Sequence, residues 1–189
     1  MHSLETKKYL SMVRGKAKIS VHIVCLGNIC RSPIANAVLL NLTRDLSAPK
    51  VEVDSSGTGP WHVGQSAADF STQSWQSAGY EYHHIAKQFQ PDFFKKHDLI
   101  LAMDLSNRAN LLNLAKSDED RAKIFMFTSF DPKKSHIDPD GMDGQILSVP
   151  DPYGGPIEEF ESVLKIIEAA ATGFLAWVRS EVILTPISE

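Results

Sequence analysis

One junction limits the fold more than any other stretch of the chain. Ile19-Ser20-Val21-His22-Ile23-Val24 is β-branched and bounded by a loop containing Gly27, which is the pattern of a strand. Pro33 to Leu46 carries Ile34, Ala37, Val38 and Leu42 on one face, which is the pattern of a helix. Ser32 stands where an N-cap belongs, and Pro33 suits the first helical position. A strand therefore hands over to a helix through a short loop, Cys25-Leu26-Gly27-Asn28-Ile29-Cys30-Arg31-Ser32.

The alternation continues. Lys50 to Ser55, with Val51 and Val53 alternating, reads as a second strand, and Ala67 to Ala78 as a helix stopped by Gly79. Asp98 to Met103 is apolar after its first residue, as buried parallel strands are. Leu105 to Ala115 follows as a helix and Ala122 to Phe127 as a fourth strand, with Asp118-Glu119-Asp120 read as a solvated loop between them. A loop rich in Asp, Pro and Gly runs from Ser129 to Gly155. A last amphipathic helix offers Ile157, Phe160, Val163, Leu164, Ile167 and Phe174 to the core. Strands alternating with helices imply an α/β fold: a three-layer sandwich whose four-stranded parallel sheet carries helices on both faces, Rossmann-like and doubly wound. Ligands of such sheets bind beyond the carboxyl ends of the strands, where Cys25 lies.

With 189 residues, 43% of them hydrophobic, the chain suits one domain, expected over residues 17–185 after a polar extension at 1–16. A net charge of -4 gives no general affinity for nucleic acid. The first apolar segment, Ile19 to Leu26, is too short to span a membrane and lacks the layout of a signal peptide. The two cysteines, five residues apart, are not a disulfide framework. These features lead us to expect a cytoplasmic protein.

The loop from Cys25 to Ser32 carries the chemistry. Gly27 lets backbone approach a ligand closely. A loop leading into a helix N-terminus presents several N–H groups to one point, which makes an anion site. Arg31 adds a planar fork of donors matched to two phosphate oxygens. The same positive surroundings favour thiolate over thiol at Cys25. A thiolate beneath a phosphorus atom whose oxygens are gripped by donors is arranged for covalent displacement. A lone cysteine at a strand end is usually a packed small residue; Cys, five residues, then Arg and Ser between strand and helix is far more specific.

Val24 to Ala35, Val-Cys-Leu-Gly-Asn-Ile-Cys-Arg-Ser-Pro-Ile-Ala, resembles the signature of the low-molecular-weight protein tyrosine phosphatases. The resemblance extends to Asp54-Ser55-Ser56-Gly57-Thr58-Gly59-Pro60-Trp61-His62-Val63-Gly64, to Met103-Asp104-Leu105-Ser106-Asn107 and to Asp151-Pro152-Tyr153. It implies the fold of that family and hydrolysis of protein phosphotyrosine in two steps through a cysteinyl-phosphate, without cofactor or metal. It implies Cys25 as nucleophile and Arg31 as the holder of phosphoryl oxygens. Backbone N–H groups from Leu26 through Gly27, Asn28, Ile29 and Cys30 to Arg31 would complete the cradle, with Ser32 donating to the Cys25 sulfur. Asn28 would brace the loop with Ser55 and His84 in support, and Asp104 would tie to the Arg31 side chain or its neighbourhood. Leu26, Trp61 and Tyr153 would wall an aromatic ring. The expected partners are a phosphotyrosine protein and an oxyanion in the loop, with the chain a monomer or weak dimer.

Three Asp-Pro pairs compete for the general acid: Asp131-Pro132, Asp138-Pro139 and Asp151-Pro152. Aspartate before proline is often only a turn device. Asp151 is selected because Tyr153 can shield it and contact substrate. The stretch from 131 to 150 is longer than the resemblance leads one to expect; its aspartates fail the spacing of a calcium loop, and it reads as a solvated insertion. Gly154 stands where relatives often carry a second aromatic. Cys30 fits a rescue thiol for oxidised Cys25, or a packed small residue. Two loop cysteines without further Cys or paired His give no zinc set. Thioredoxin-linked arsenate reductases need downstream cysteines that this chain lacks. Arginine phosphatases carry Thr at the position of Ile29, so Ile29 favours phosphotyrosine. A non-enzymatic reader of phosphoproteins is disfavoured by intact Cys25, Arg31 and Asp151. His62 and His83 read as surface or packed side chains, and Trp75 and Trp177 as core or interface anchors.

Overall fold

The computed structural model describes residues 13–183. Four strands, β1 (Lys18–Cys25), β2 (Lys50–Gly57), β3 (Leu99–Ala102) and β4 (Ile124–Met126), form one all-parallel sheet in the order β2-β1-β3-β4. Six α-helices stand between and after them among the described residues: α1 (Arg31–Thr43), α2 (Asp69–Ser77), α3 (Phe93–Lys96), α4 (Leu105–Leu114), α5 (Asp118–Ala122) and α6 (Ile157–Trp177).

Strand alternation sorts the core into two layers. Val21, Ile23 and Cys25 of β1, with Leu99 and Leu101 of β3, pack against Ile34 and Val38 of α1, Trp75 of α2 and Phe160, Ile167 and Phe174 of α6. On the other face Val24, Ile100, Ala102 and Met126 pack against Phe89, Phe94, Leu111 and Leu147. Because β1 is central, with β2 on one side and β3 on the other, the chain turns in opposite directions from its carboxyl end. That crevice is where an open α/β sheet admits ligand.

Four local expectations change. Helix α1 begins at Arg31 with Cys30 at its N-cap, so Ser32 and Pro33 lie inside the first turn. The Ser32 hydroxyl does not cap; it turns back to Cys25. The acidic run 118–120 is not a loop but the first turn of α5, where Ser117 accepts from the Asp120 N–H and the carboxylates meet the positive end of the helix. Val13 is fully buried in the main core and Lys16 pairs with the Asp98 carboxylate, so residues 13–16 belong to the packed unit. The rest of the proposed extension, 1–12, lies outside the described residues. The 131–150 stretch is exposed over much of its length, but Leu147 and Val149 are buried and the Val149 N–H reaches the Met103 carbonyl at 2.8 Å. Its far end is thereby pinned beside β3.

Candidate active site

β1 ends at Cys25, whose partner in register is Gly57 of β2. The chain then passes directly over Gly57: a Cβ there would lie 2.5 Å from the Leu26 carbonyl oxygen and 3.0 Å from the Asn28 nitrogen. Two further hydrogen bonds hold this crossing, from Thr58 N–H to the Cys25 carbonyl and from Gly59 N–H to the Leu26 carbonyl, each 2.9 Å. Asn28 turns the loop with φ of 57°, a left-handed conformation that Asn tolerates better than most residues. Its polar atoms are committed. The Nδ2 amide donates to Ser32 Oγ at 2.9 Å and Ser55 Oγ at 3.1 Å, Oδ1 accepts from the Lys87 N–H at 2.9 Å, and the carbonyl accepts from His84 Nε2 at 2.7 Å. Its own N–H points at Cys25 Sγ, 3.2 Å away.

His84 is held in turn. Nε2 must carry the proton it gives to a carbonyl, so Nδ1 accepts from the Tyr82 hydroxyl at 3.1 Å. Burial lowers the His84 pKa, which favours this neutral form, and burial pushes Tyr82 up to about 12, which keeps it a phenol. Asn36 Nδ2 reaches both Tyr82 Oη at 2.8 Å and Ser55 Oγ at 3.3 Å, closing the network behind the loop. Asn36 and Tyr82 were not singled out by sequence, since their roles depend on α1 and a distant extended segment meeting.

The resulting floor faces an opening. Cys25 Sγ sits 3.0 Å from Ser32 Oγ beneath a cavity of about 220 Å³, at the N-terminal end of α1. Arg31 is only 3% exposed. Its Nη1 donates to Asp104 Oδ2 at 2.6 Å and to the Val149 carbonyl at 3.2 Å, and its Nη2 to Asp151 Oδ2 at 2.7 Å. Nε is buried without a partner. Burial works against the charge, but Cys25, Asp151 and Asp104 outweigh it and raise the Arg31 pKa above its ordinary value. Asp104 is itself rigid, because its other oxygen caps α4 by accepting from the Asn107 N–H at 2.6 Å. A positive cradle with an uncommitted donor, above a sulfur, suits a tetrahedral oxyanion.

A family model described as low molecular weight phosphotyrosine protein phosphatase matches residues 20–184. A low-molecular-weight protein-tyrosine-phosphatase of Streptomyces coelicolor is 41% identical over 163 residues, covering 86% of this chain and 94% of that one. The crystal structure of a protein tyrosine phosphatase from Entamoeba histolytica with Hepes in the active site superposes with a TM-score of 0.74 at 32% identity, over 85% of this chain and 97% of that one. The chain belongs to the low-molecular-weight phosphotyrosine protein phosphatase family. It is a protein-tyrosine-phosphatase. An arginine phosphatase from Geobacillus stearothermophilus, at 24% identity, a TM-score of 0.73 and coverage of 90% and 99%, shares the fold.

The mouth of the phosphatase pocket is formed by Leu26, Trp61 and Tyr153, all exposed, together with His62. His62, read from sequence as a surface or packed side chain, lines the cavity, packs by Gly27 and lies 6.1 Å from the Tyr153 ring. Of the three Asp-Pro pairs, only Asp151 reaches the pocket. Asp131 accepts from the Lys133 N–H and Asp138 from the Asp140 N–H, each at 2.9 Å, as turn devices do. Cys30 is a buried pocket-lining thiol whose pKa burial pushes up to about 12, with Ser71 and Arg31 opposing. Among the described residues no helix is long and apolar enough to cross a membrane.

Proposed function

We propose that the phosphatase hydrolyses phosphotyrosine in proteins by passing the phosphoryl group from the phenol to Cys25 and then to water. The observation that carries this reading is Cys25 Sγ under the cavity, within reach of Ser32 Oγ and the Asn28 N–H, with the buried Nε of Arg31 uncommitted beside it. The phosphoryl oxygens take the loop amides and the Arg31 fork, releasing Asp151 from Nη2. In the first step Cys25 sulfur bonds to phosphorus, the phosphorus–oxygen bond to the ring breaks, and Asp151 gives the phenolate its proton. In the second step Asp151 takes a proton from water as its oxygen bonds to phosphorus and the sulfur departs, with Ser32 stabilising the sulfur anion. The charge is met by Arg31, the amides and the helix end, so the reaction proceeds without a metal.

Trp61 and Tyr153 at the mouth, with apolar Ile29 inside, favour an aromatic ring over a guanidinium. The fold alone does not choose between these substrates, since an arginine phosphatase shares it. Cys30, beside Cys25 in the same loop, serves as a resolving thiol: a Cys25 sulfenic acid condenses with the Cys30 thiol to a disulfide and water. Matched phosphotyrosine and phosphoarginine peptides test the substrate reading. Turnover of the first, retained in excess chelator and lost in Cys25→Ser, is expected; preference for phosphoarginine contradicts it. Reversible loss of activity with peroxide in the native protein, turning irreversible in Cys30→Ser, is expected for the thiol pair.

A further inference from the structure

The face of the sheet turned away from Cys25 holds a second cluster that catalysis does not use. His22 of β1 stands in register with Asp54 of β2, so both side chains leave the same face, and His97 approaches from the turn before β3. One nitrogen of each histidine and one Asp54 oxygen all lie within 4.8 Å of one another. The pair His22 Nδ1 and Asp54 Oδ2 is 3.7 Å apart, and the two imidazole centroids are 4.5 Å apart beside Phe93.

The hydrogen bonds around this trio anchor each histidine through one ring nitrogen. His22 is fully buried; its Nε2 meets Ser56 Oγ at 2.7 Å, while its Nδ1 is buried without a hydrogen bond. His97 Nδ1 lies 3.0 Å from the Phe93 carbonyl, which can only accept, so the proton sits on Nδ1 and Nε2 keeps its lone pair. An imidazole anchored through one nitrogen and free at the other is how metal-bound histidines are oriented. An unmade buried hydrogen bond is costly, and a metal ion at the His22 Nδ1 would relieve that cost. Asp54 is partnered by the Lys87 ammonium, 2.6 Å from Oδ2, whose half-exposed side chain is free to swing into water.

We propose that His22, Asp54 and His97 form a binding site for a divalent transition-metal ion, best matched to Zn²⁺. Two imidazoles and a carboxylate are a donor set such ions favour over calcium or magnesium. Donors about 2.0–2.1 Å from zinc stand roughly 3.3 Å apart in a tetrahedron, so the trio closes with small side-chain movements, and water takes the fourth position. The ion replaces one cation with another at Asp54: Lys87 leaves as the metal enters.

The test uses the full chain carrying Cys25→Ser and Cys30→Ser, which removes thiolate ligands. Co²⁺ is titrated and its visible ligand-field absorption followed, with Zn²⁺ as competitor. One ion per chain is expected, displaced by Zn²⁺. His97→Phe and Asp54→Asn should each weaken binding by at least the about 10–100-fold that loss of an outer-shell partner costs. Lys87→Met keeps all three ligands, removes the competing ammonium and should tighten binding, which answers the question even where a ligand variant folds poorly. Absence of saturable binding, binding indifferent to the two ligand variants, or an unchanged affinity in Lys87→Met overturns the proposal.

Discussion

At the floor of the pocket Asn28, Arg31 and Ser32 are buried and nearly every polar atom has a named partner, whereas at its mouth Trp61 and Tyr153 are each 66% exposed. The floor is over-determined. Asn28 alone is tied to β1, α1, β2 and the segment carrying His84 and Lys87, so a fault there reaches both chemistry and folding. The mouth rests on ring contacts and exposed apolar surface, so it can change without unsettling the sheet. On the proposed mechanism, reaction type is thus built into the part that the fold depends on, and substrate preference into the part that it does not.

That division is open to attack, and the largest effect comes first. Cys25→Ser should abolish turnover of an aryl phosphate while leaving the fold intact, as thermal unfolding would report. Asp151→Ala should slow turnover by about 10²–10⁴-fold, and Asp131→Ala should leave it unchanged; the reverse result in steady-state kinetics would move the acid to another loop. Gly57→Ala should harm stability and turnover together, by about 1–3 kcal/mol in denaturant unfolding, because the added methyl meets the Leu26 carbonyl. Trp61→Ala should raise KM for phosphotyrosine peptides with stability changed by less than about 0.5 kcal/mol, as for other exposed sites. A large loss of stability there would erase the contrast between floor and mouth.

Acid should act on the floor through His84. His84 is neutral in the fold because burial lowers its pKa, while in the unfolded chain it titrates at about 6.5. The unfolded state therefore binds the extra proton first. Stability from this group is complete above about pH 6.5 and is lost as pH falls toward the depressed folded value. Denaturant unfolding across this range should show a slope of up to about 1.4 kcal/mol per pH unit from His84, shallower in His84→Gln. An unchanged slope in that variant would contradict the assignment.

The sheet, its longer helices and the loop were legible in sequence because their signals are local: β-branched runs, helical periodicity, and Cys, Arg and Ser within eight residues; α3 and α5 were not, because helices of four and five residues show no periodicity. Asp104 was reachable only through the family resemblance and Asp151 through its aromatic neighbour Tyr153, while their contacts with Arg31, 73 and 120 residues away, carry no local signal. Tyr82, Asn36 and the placement of His62 depend on how α1 and the β2-following loop pack, which no spacing encodes. Ser32 fits both a cap and a partner for sulfur by type; the start of α1 at Arg31 rules out the cap and leaves its hydroxyl to the sulfur, as the resemblance implies. The trio His22, Asp54 and His97 is invisible along the chain because strand register assembles it.

The central claim is a phosphorus–sulfur bond at Cys25. Acid quenching of the enzyme during turnover of an aryl phosphate, followed by mass spectrometry of the peptide containing Cys25, tests it most directly. A phosphate adduct on Cys25, accumulating further in Ser32→Ala where sulfur leaves less readily, is the predicted result. Turnover with no adduct on that peptide, or an adduct on another residue, would contradict it.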